Sequence, residues 1–411
     1  MTARARRQRT GGNGGDDVRR RVLVAAHSGS QGGAELCLDV LLSGTDPAAL
    51  ELDVRFACDG PMVDRSRRMG WPTAVEPWAW WLGFEPSWWY RRNLWGKGWL
   101  RVLRYAALLR RRRFDLVYSN SSVIFEPALA ARLAGVPHVW HVHEILDPAY
   151  WPTRLAALPR IAVRLNRWSR RVIFESHAAR RVCRPFPDDA KIRVIHNPLR
   201  FGPDDAEDAR VQEQAAALRS RLGLAAEEVM VLWLGQFSPR KDPLLLAAAA
   251  ARLAGRNDLP AVVPVFLGEG PLRSELAAAL GDRGRIHDFE PDVRPWLAAC
   301  DVLALTSRQE SFGLVLLEAA AFGKPVIATR TEGPGEIVRE GETGMLVPPG
   351  DAAALAETLA VLAGSRGLRR KMGQAARQVV FEHFSADRYV RAVHAVWVEC
   401  WEPHPSSRGA E

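Results

Sequence analysis

The sequence predicts an α/β protein built as two doubly wound domains, each a parallel sheet covered by helices, with a central cleft between them. Three observations carry that prediction. Short β-branched runs alternate with longer segments rich in alanine and leucine, the signature of strand-helix-strand units. The strand runs are continuously apolar, as expected when both faces of a sheet are covered. The alternation breaks once, across residues 198–228, and then starts again.

In chain order the first half offers strands at 21–27 (RVLVAAH), 52–58 (LDVRFAC), 114–120 (FDLVYSN), 137–143 (PHVWHVH), 171–176 (RVIFES) and 191–197 (KIRVIHN). Helical stretches such as GAELCLDVLLS and EPALAARLAG lie between them. Residues 198–228 are polar and carry no strand, which marks a domain junction. The second set runs through 229–237 (VMVLWLGQF), 261–270 (AVVPVFLGEG), 285–289 (RIHDF), 301–307 (DVLALTS), 325–331 (PVIATRT) and 344–349 (GMLVPP). The resulting plan is a disordered basic tail over 1–20, a first domain over 21–200, a linker over 201–228 and a second domain over 229–384. SADRYVRAVHAVWVECW, 385–401, closes the chain as a helix. Doubly wound sheets bind ligands beyond the carboxyl ends of their strands, so the site is expected in the cleft.

Composition narrows the function classes. A chain of 411 residues exceeds one core at roughly 150 residues per domain. Hydrophobic residues at 47% and charged residues at 25% exclude a disordered or fibrous chain. No run approaches the ~18 consecutive apolar residues of a bilayer span. The basic start has no apolar segment behind it and does not read as a secretory signal. Residues 1–21 hold seven arginines and two aspartates, +5 of the formal net charge of +9, so the rest is mildly basic and no nucleic-acid partner is expected. Cys37, Cys58, Cys183, Cys300 and Cys400 are scattered, without zinc or disulfide spacing. They read as buried thiols in a reducing cytoplasm.

Two motifs carry the chemistry. In TSRQESFGLVLLEAAAFGKPVIA, residues 306–328, a strand ends near Ser307, a helix starts around Ser311 to Gly313, and Gly323 and Pro325 stop it. The free N–H groups and positive end of that helix form an anion site, and Gly313 lets a phosphate approach the backbone. Glu310 stands just before the terminus. Glu318 lies about 10 Å beyond it at a rise of ~1.5 Å per residue, comparable to the reach from a diphosphate to a ribose. The spacing suits one nucleotide sugar, with the sugar near Glu310 and the ribose near Glu318. A helix cap and a solvated helix residue are the plainer alternatives.

The partner segment is LWLGQFSPRKDPLLLAA, residues 232–248: strand, Gly235, short loop, Arg240 and Lys241, then helix. Arginine grips a phosphate through two parallel hydrogen bonds and lysine supplies a point charge, each contact worth ~1.5–3 kcal/mol. A basic surface turn is the alternative reading.

These runs, with FLGEGPLRSEL (266–276), GKPVIATRTEGPGEIV (323–338) and GETGMLVPPGD (341–351), together resemble the carboxyl-terminal half of retaining glycosyltransferase family 4, the "glycosyl transferases group 1" of the GT-B fold. GGAE (32–35), DLVYSNS (115–121), HVHEI (141–145) and VIHNPL (194–199) resemble its first half. The likeness runs from about residue 21 to 400 and implies two Rossmann-like domains, an acceptor domain and a donor domain, with the 385–401 helix crossing back to the first.

The resemblance also implies roles. Arg240 and Lys241 hold the donor diphosphate, and Ser311, Phe312, Gly313 and Leu314 offer it backbone N–H groups. Glu318 binds ribose, Glu310 contacts the transferred sugar, and His143 approaches that sugar across the cleft. Gly32 and Gly33, after the first strand, let their loop pass close to donor phosphate or acceptor, a plain turn being the alternative, and Gly235 with Gln236 belongs to the donor-binding loop, Gln236 as an amide donor. The implied activity is transfer of a sugar from a UDP- or GDP-sugar to a saccharide acceptor, with no metal and no cofactor beyond the substrate. The absence of an Asp-x-Asp agrees. Three departures stand out: Gln236 where many members carry arginine, Ser311 in place of a common glycine, and a short IHDFEPDV segment (286–293) where the base is usually held. An epimerase or hydrolase of the same fold, or a non-catalytic nucleotide-sugar-binding protein, remains the rival reading.

Eight tryptophans, Trp71, Trp78, Trp80, Trp81, Trp88, Trp89, Trp95 and Trp99, crowd a segment that runs into the basic stretch LRVLRYAALLRRRR. Aromatic rings beside arginines read as a membrane contact over 71–113, which places the protein at the inner membrane face and points to a lipid-linked acceptor. Internal packing and a sugar-stacking platform are the alternatives.

Overall fold

The computed structural model describes residues 19–82, 97–147, 158–183 and 186–401. Residues 1–18 of the basic tail, and Trp88, Trp89 and Trp95, lie outside the described residues.

The first sheet has seven strands: β1 (Arg20–Ala26), β2 (Leu50–Phe56), β3 (Thr73–Val75), β4 (Leu116–Asn120), β5 (His138–Val142), β6 (Arg171–Phe174) and β7 (Ile192–Val194). Their spatial order is β3-β2-β1-β4-β5-β6-β7. β1 pairs in parallel with β2 on one side, Arg20 opposite Leu50, and with β4 on the other, Val22 opposite Leu116. The six expected strands are all present. β3 is the addition: three partly exposed residues at the sheet edge, too short to leave an apolar run.

The second sheet has six strands: β8 (Val229–Leu234), β9 (Val262–Leu267), β10 (Arg285–His287), β11 (Val302–Leu305), β12 (Val326–Thr329) and β13 (Gly344–Val347), in the order β10-β9-β8-β11-β12-β13. Every residue of β8 is buried, which explains its unbroken apolar run. In each sheet the order reverses once, between β1 and β4 and between β8 and β11. A crevice opens at such a reversal, outside the carboxyl ends of the strands.

The 201–228 segment differs from the expected linker. It contains the helix Ala209–Arg221, capped by Asp208, whose side chain accepts from the N–H groups of Arg210 and Val211. Val211, Ala215, Leu218 and Leu222 fall on one face of that helix and join the core of the second domain. The Ala386–Trp401 helix packs its Tyr389, Val390, Val393 and Trp397 into the first domain's core. Glu399 near its end pairs with Arg171 and Arg193, each at 2.7 Å.

Within the aromatic segment Trp71, Trp78 and Trp81 are core residues, 6%, 5% and 4% exposed. Trp81 stacks on Phe125, Trp140 and Trp168 at 5.2–6.0 Å between centroids. For these three rings internal packing replaces the expected lipid contact. Among the described residues no helix is long and apolar enough to cross a membrane.

Candidate active site

The loops that follow β1, β5, β8 and β11, with residues after β6, β7, β9 and β10, line an open cavity of about 1080 Å³ between the domains. From the first domain it is lined by Gly33 and His143. From the second it receives Gly235, Gln236, Arg240, Lys241, Glu310, Ser311, Phe312, Gly313, Leu314 and Glu318. The candidate donor-binding and catalytic residues therefore meet in one space, although they come from points nearly 300 positions apart.

Two helix amino ends face each other there. The helix Leu314–Ala321 is capped by Gly313 at φ 103°, a left-handed conformation that glycine adopts without strain. Helical residues begin at Leu314, a little later than the sequence indicated, which leaves the backbone of Ser311 to Gly313 as a turn lining the cavity. Opposite lies the helix Gly33–Ser43, and a Cβ placed on Gly33 would sit 3.3 Å from Leu314 Cδ1. The two domains thus touch beside both helix termini.

The cationic loop is fastened to this turn by the backbone. The Arg308 N–H donates to the Arg240 carbonyl at 2.8 Å, and Thr306 Oγ1 donates to the Asp242 carbonyl at 2.7 Å. Asp242 adopts φ 45° ahead of Pro243 and the helix Pro243–Leu253, and its carboxylate pairs with Arg308 at 2.8 Å. Lys241 is thereby turned to Glu310, with which it forms a direct ion pair.

Glu310 is 6% exposed, so it is neither a solvated residue nor the cap of the following helix. Burial would raise its pKa. The charges of Lys241 and Arg240, with hydrogen bonds from Lys241 and from Ser307 Oγ at 3.0 Å, outweigh that and hold the carboxyl below the ordinary glutamate range. Glu318, 5% exposed, is equally far from a solvated helix residue and accepts from Arg200 Nε at 2.6 Å. The His143 side chain is buried between Glu175, 3.5 Å from its Nδ1, and Asn120, 3.3 Å from its Nε2, and stacks on His141 at 4.1 Å.

Several wall residues went unremarked in the sequence. Arg200 brings a further cation, and Asn197 donates to Glu175 at the cavity floor. Glu35 lies in the first turn of its helix with His27 Nδ1 at 3.1 Å, and burial pushes its carboxyl up. Glu144 accepts from Ser122 N and Oγ at 3.1 and 2.7 Å. Glu35, Glu144 and Asn197 sit inside GGAE, HVHEI and VIHNPL, but a single polar residue near a strand or helix end has no spacing to mark it.

Two doubly wound domains facing a cleft, with cations and a helix amino end turned into it, define a GT-B protein. Family comparison agrees: residues 32–200 match the Glycosyltransferase Family 4 model and residues 228–365 the Glycosyl transferases group 1 model. The chain belongs to this glycosyltransferase family. It is 30% identical over 300 residues to a D-inositol 3-phosphate glycosyltransferase of Kribbella flavida, covering 67% of this chain and 69% of that protein. It is 35% identical over 174 residues to the lipopolysaccharide core biosynthesis glycosyltransferase LpsE of Rhizobium meliloti, covering 41% and 49% respectively. The chain spans about half the length of LpsE and of the D-inositol 3-phosphate glycosyltransferase of Streptomyces scabiei, 49% and 50%. Among solved structures, Anabaena Alr3699/HepE in complex with UDP-glucose superposes with a TM-score of 0.75 and 25% identity, over 92% of this chain and 99% of that one.

Proposed function

We propose that the protein is a retaining, metal-independent glycosyltransferase that moves a sugar from a nucleotide-sugar donor to a saccharide acceptor in cell-surface polysaccharide or glycolipid synthesis. The carrying observation is that Arg240, Lys241 and the amino end of the Leu314–Ala321 helix converge on one interdomain cavity. The donor diphosphate lies across that helix end, with Arg240 and Lys241 against its oxygens, and Glu318 takes the ribose hydroxyls. As the bond from the anomeric carbon to phosphate oxygen breaks, negative charge grows on the departing diphosphate. Preorganised positive groups stabilise that charge more than they stabilise the ground state, and no metal or other cofactor is required for it.

The acceptor oxygen bonds the anomeric carbon from the same face, and the departing phosphate oxygen takes its proton. Glu310, already held by Lys241 and Ser307, contacts the transferred sugar rather than attacking it. The UDP-glucose complex of the Anabaena protein supports a UDP-sugar as donor, with a GDP-sugar as the other choice. The lipopolysaccharide role of the Rhizobium relative supports a lipid-linked saccharide as acceptor. The helix Trp99–Arg111 offers the surface for anionic lipid at the cytoplasmic side: Trp99, Leu100 and Leu103 are exposed beside Arg104, Arg110 and Arg111.

A thermal-shift panel of UDP-, GDP- and ADP-sugars tests the donor, with the UDP-sugars expected to stabilise the protein and a panel without any response defeating the reading. Donor consumed at full rate without acceptor returns the epimerase or hydrolase alternative. Glu318→Ala is expected to weaken UDP binding roughly 10–100-fold, the worth of hydrogen bonds to a charged group, with the fold retained. An unaltered titration leaves Glu318 as a structural partner of Arg200 alone.

A further inference from the structure

Among the described residues, a cluster of ligand-capable side chains outside the cleft joins the two domains. His177 opens the helix His177–Val182 and His196 follows β7, both in the first domain, while Glu336 ends the Pro334–Glu336 turn of the second. One ring nitrogen from each histidine and one carboxylate oxygen lie within 4.8 Å of one another. Glu336 Oε2 is 2.9 Å from His196 Nε2 and also accepts from the His177 N–H at 3.0 Å, while its Oε1 accepts from the Ala178 N–H at 2.7 Å. Burial would raise its pKa, but His196 and the two N–H groups hold the carboxyl below the ordinary glutamate range.

We infer that His177, His196 and Glu336 form a binding site for a divalent transition-metal cation of the zinc class, which ties the first domain to the second. Two imidazoles and one carboxylate are a donor set for zinc and its neighbours, whereas magnesium and calcium take oxygen ligands. At Zn–N and Zn–O lengths of ~2.0–2.2 Å, neighbouring ligand atoms in a tetrahedral site lie about 3.3 Å apart. His196 and Glu336 already approach that separation. His177 is exposed, and rotation of its side chain closes the third bond, leaving the fourth to water. His196 then carries its proton on Nδ1 rather than on Nε2.

The location gives the site a consequence. Ser176 Oγ donates to the Ser311 carbonyl at 2.8 Å, and the His196 ring stacks on Phe312 at 5.6 Å. A cation bound here fixes the interdomain contact directly beside the turn that precedes the Leu314–Ala321 helix. None of its three ligands lines the cavity, so the cation takes no part in the transfer chemistry.

The test uses tag-free, chelator-stripped full-length protein titrated calorimetrically with zinc chloride. One site per chain with micromolar affinity is expected, and the unfolding temperature rises with zinc but not with magnesium. His177→Ala is expected to lose at least about tenfold in affinity. Its metal-free unfolding temperature stays that of the parent, because Glu336 is held at that position by backbone N–H groups. The inference fails if the parent binds no zinc, or if His177→Ala binds it as the parent does. It also fails if the zinc is lost on Cys58→Ser instead, since Cys58 is an exposed thiol.

Discussion

Lys241→Ala is expected to lower turnover by roughly 10²–10³ at saturating donor, the usual loss when one preorganised stabiliser of a developing anion is removed. Arg240 and the helix amino end remain, which bounds the effect. The structure adds a complication that the sequence could not show. Lys241 is the counter-charge of Glu310, whose carboxylate is buried, so the same substitution strands a charge. Removing one partner of a fully buried pair costs about 3–5 kcal/mol, and the partial exposure of Lys241, 19% of its side chain, places this case below that range. Stability and turnover are separable by a second change. Lys241→Ala combined with Glu310→Gln removes the stranded charge and is expected to regain stability in a urea titration without regaining turnover. A single variant that turns over at the parental rate removes Lys241 from the leaving-group role.

The parts of the fold that were legible are those where burial writes itself into the residue type. β8 is buried from Val229 to Leu234, and no polar residue interrupts it. Glu310, Glu318, Arg240 and Lys241 were legible for the opposite reason, as charges set beside or inside apolar runs. Arg200 was not, because its partner Glu318 lies 118 positions away and no local spacing connects them. The Ala209–Arg221 helix did carry a signal, with Val211, Ala215, Leu218 and Leu222 at helical intervals. Its polar outer face, exposed to solvent, obscured that signal. Trp71, Trp78 and Trp81 misled in a third way: rings next to arginines compose an interior aromatic cluster and a lipid-facing belt alike, and only burial tells them apart.

That distinction sets the other large expected effect. Trp81→Ala should destabilise the first domain by about 3–5 kcal/mol, the range for emptying a buried tryptophan site. Its ring stacks with three aromatic neighbours and its Nε1–H donates to the Ser122 carbonyl. A membrane-anchoring ring exposed to solvent would instead leave the unfolding midpoint nearly unchanged, so the urea curve of this one variant separates the two. Leu100 and Leu103 are the complementary pair, 68% and 55% exposed on the helix Trp99–Arg111. Changing both to serine is expected to shift stability by no more than about 0.5 kcal/mol per site while cutting co-sedimentation with anionic phospholipid vesicles several-fold. Undiminished sedimentation of that double variant removes this helix as the lipid-facing surface, whatever the acceptor proves to be. An unchanged urea midpoint for Trp81→Ala would place the ring outside the core and return the segment to the membrane.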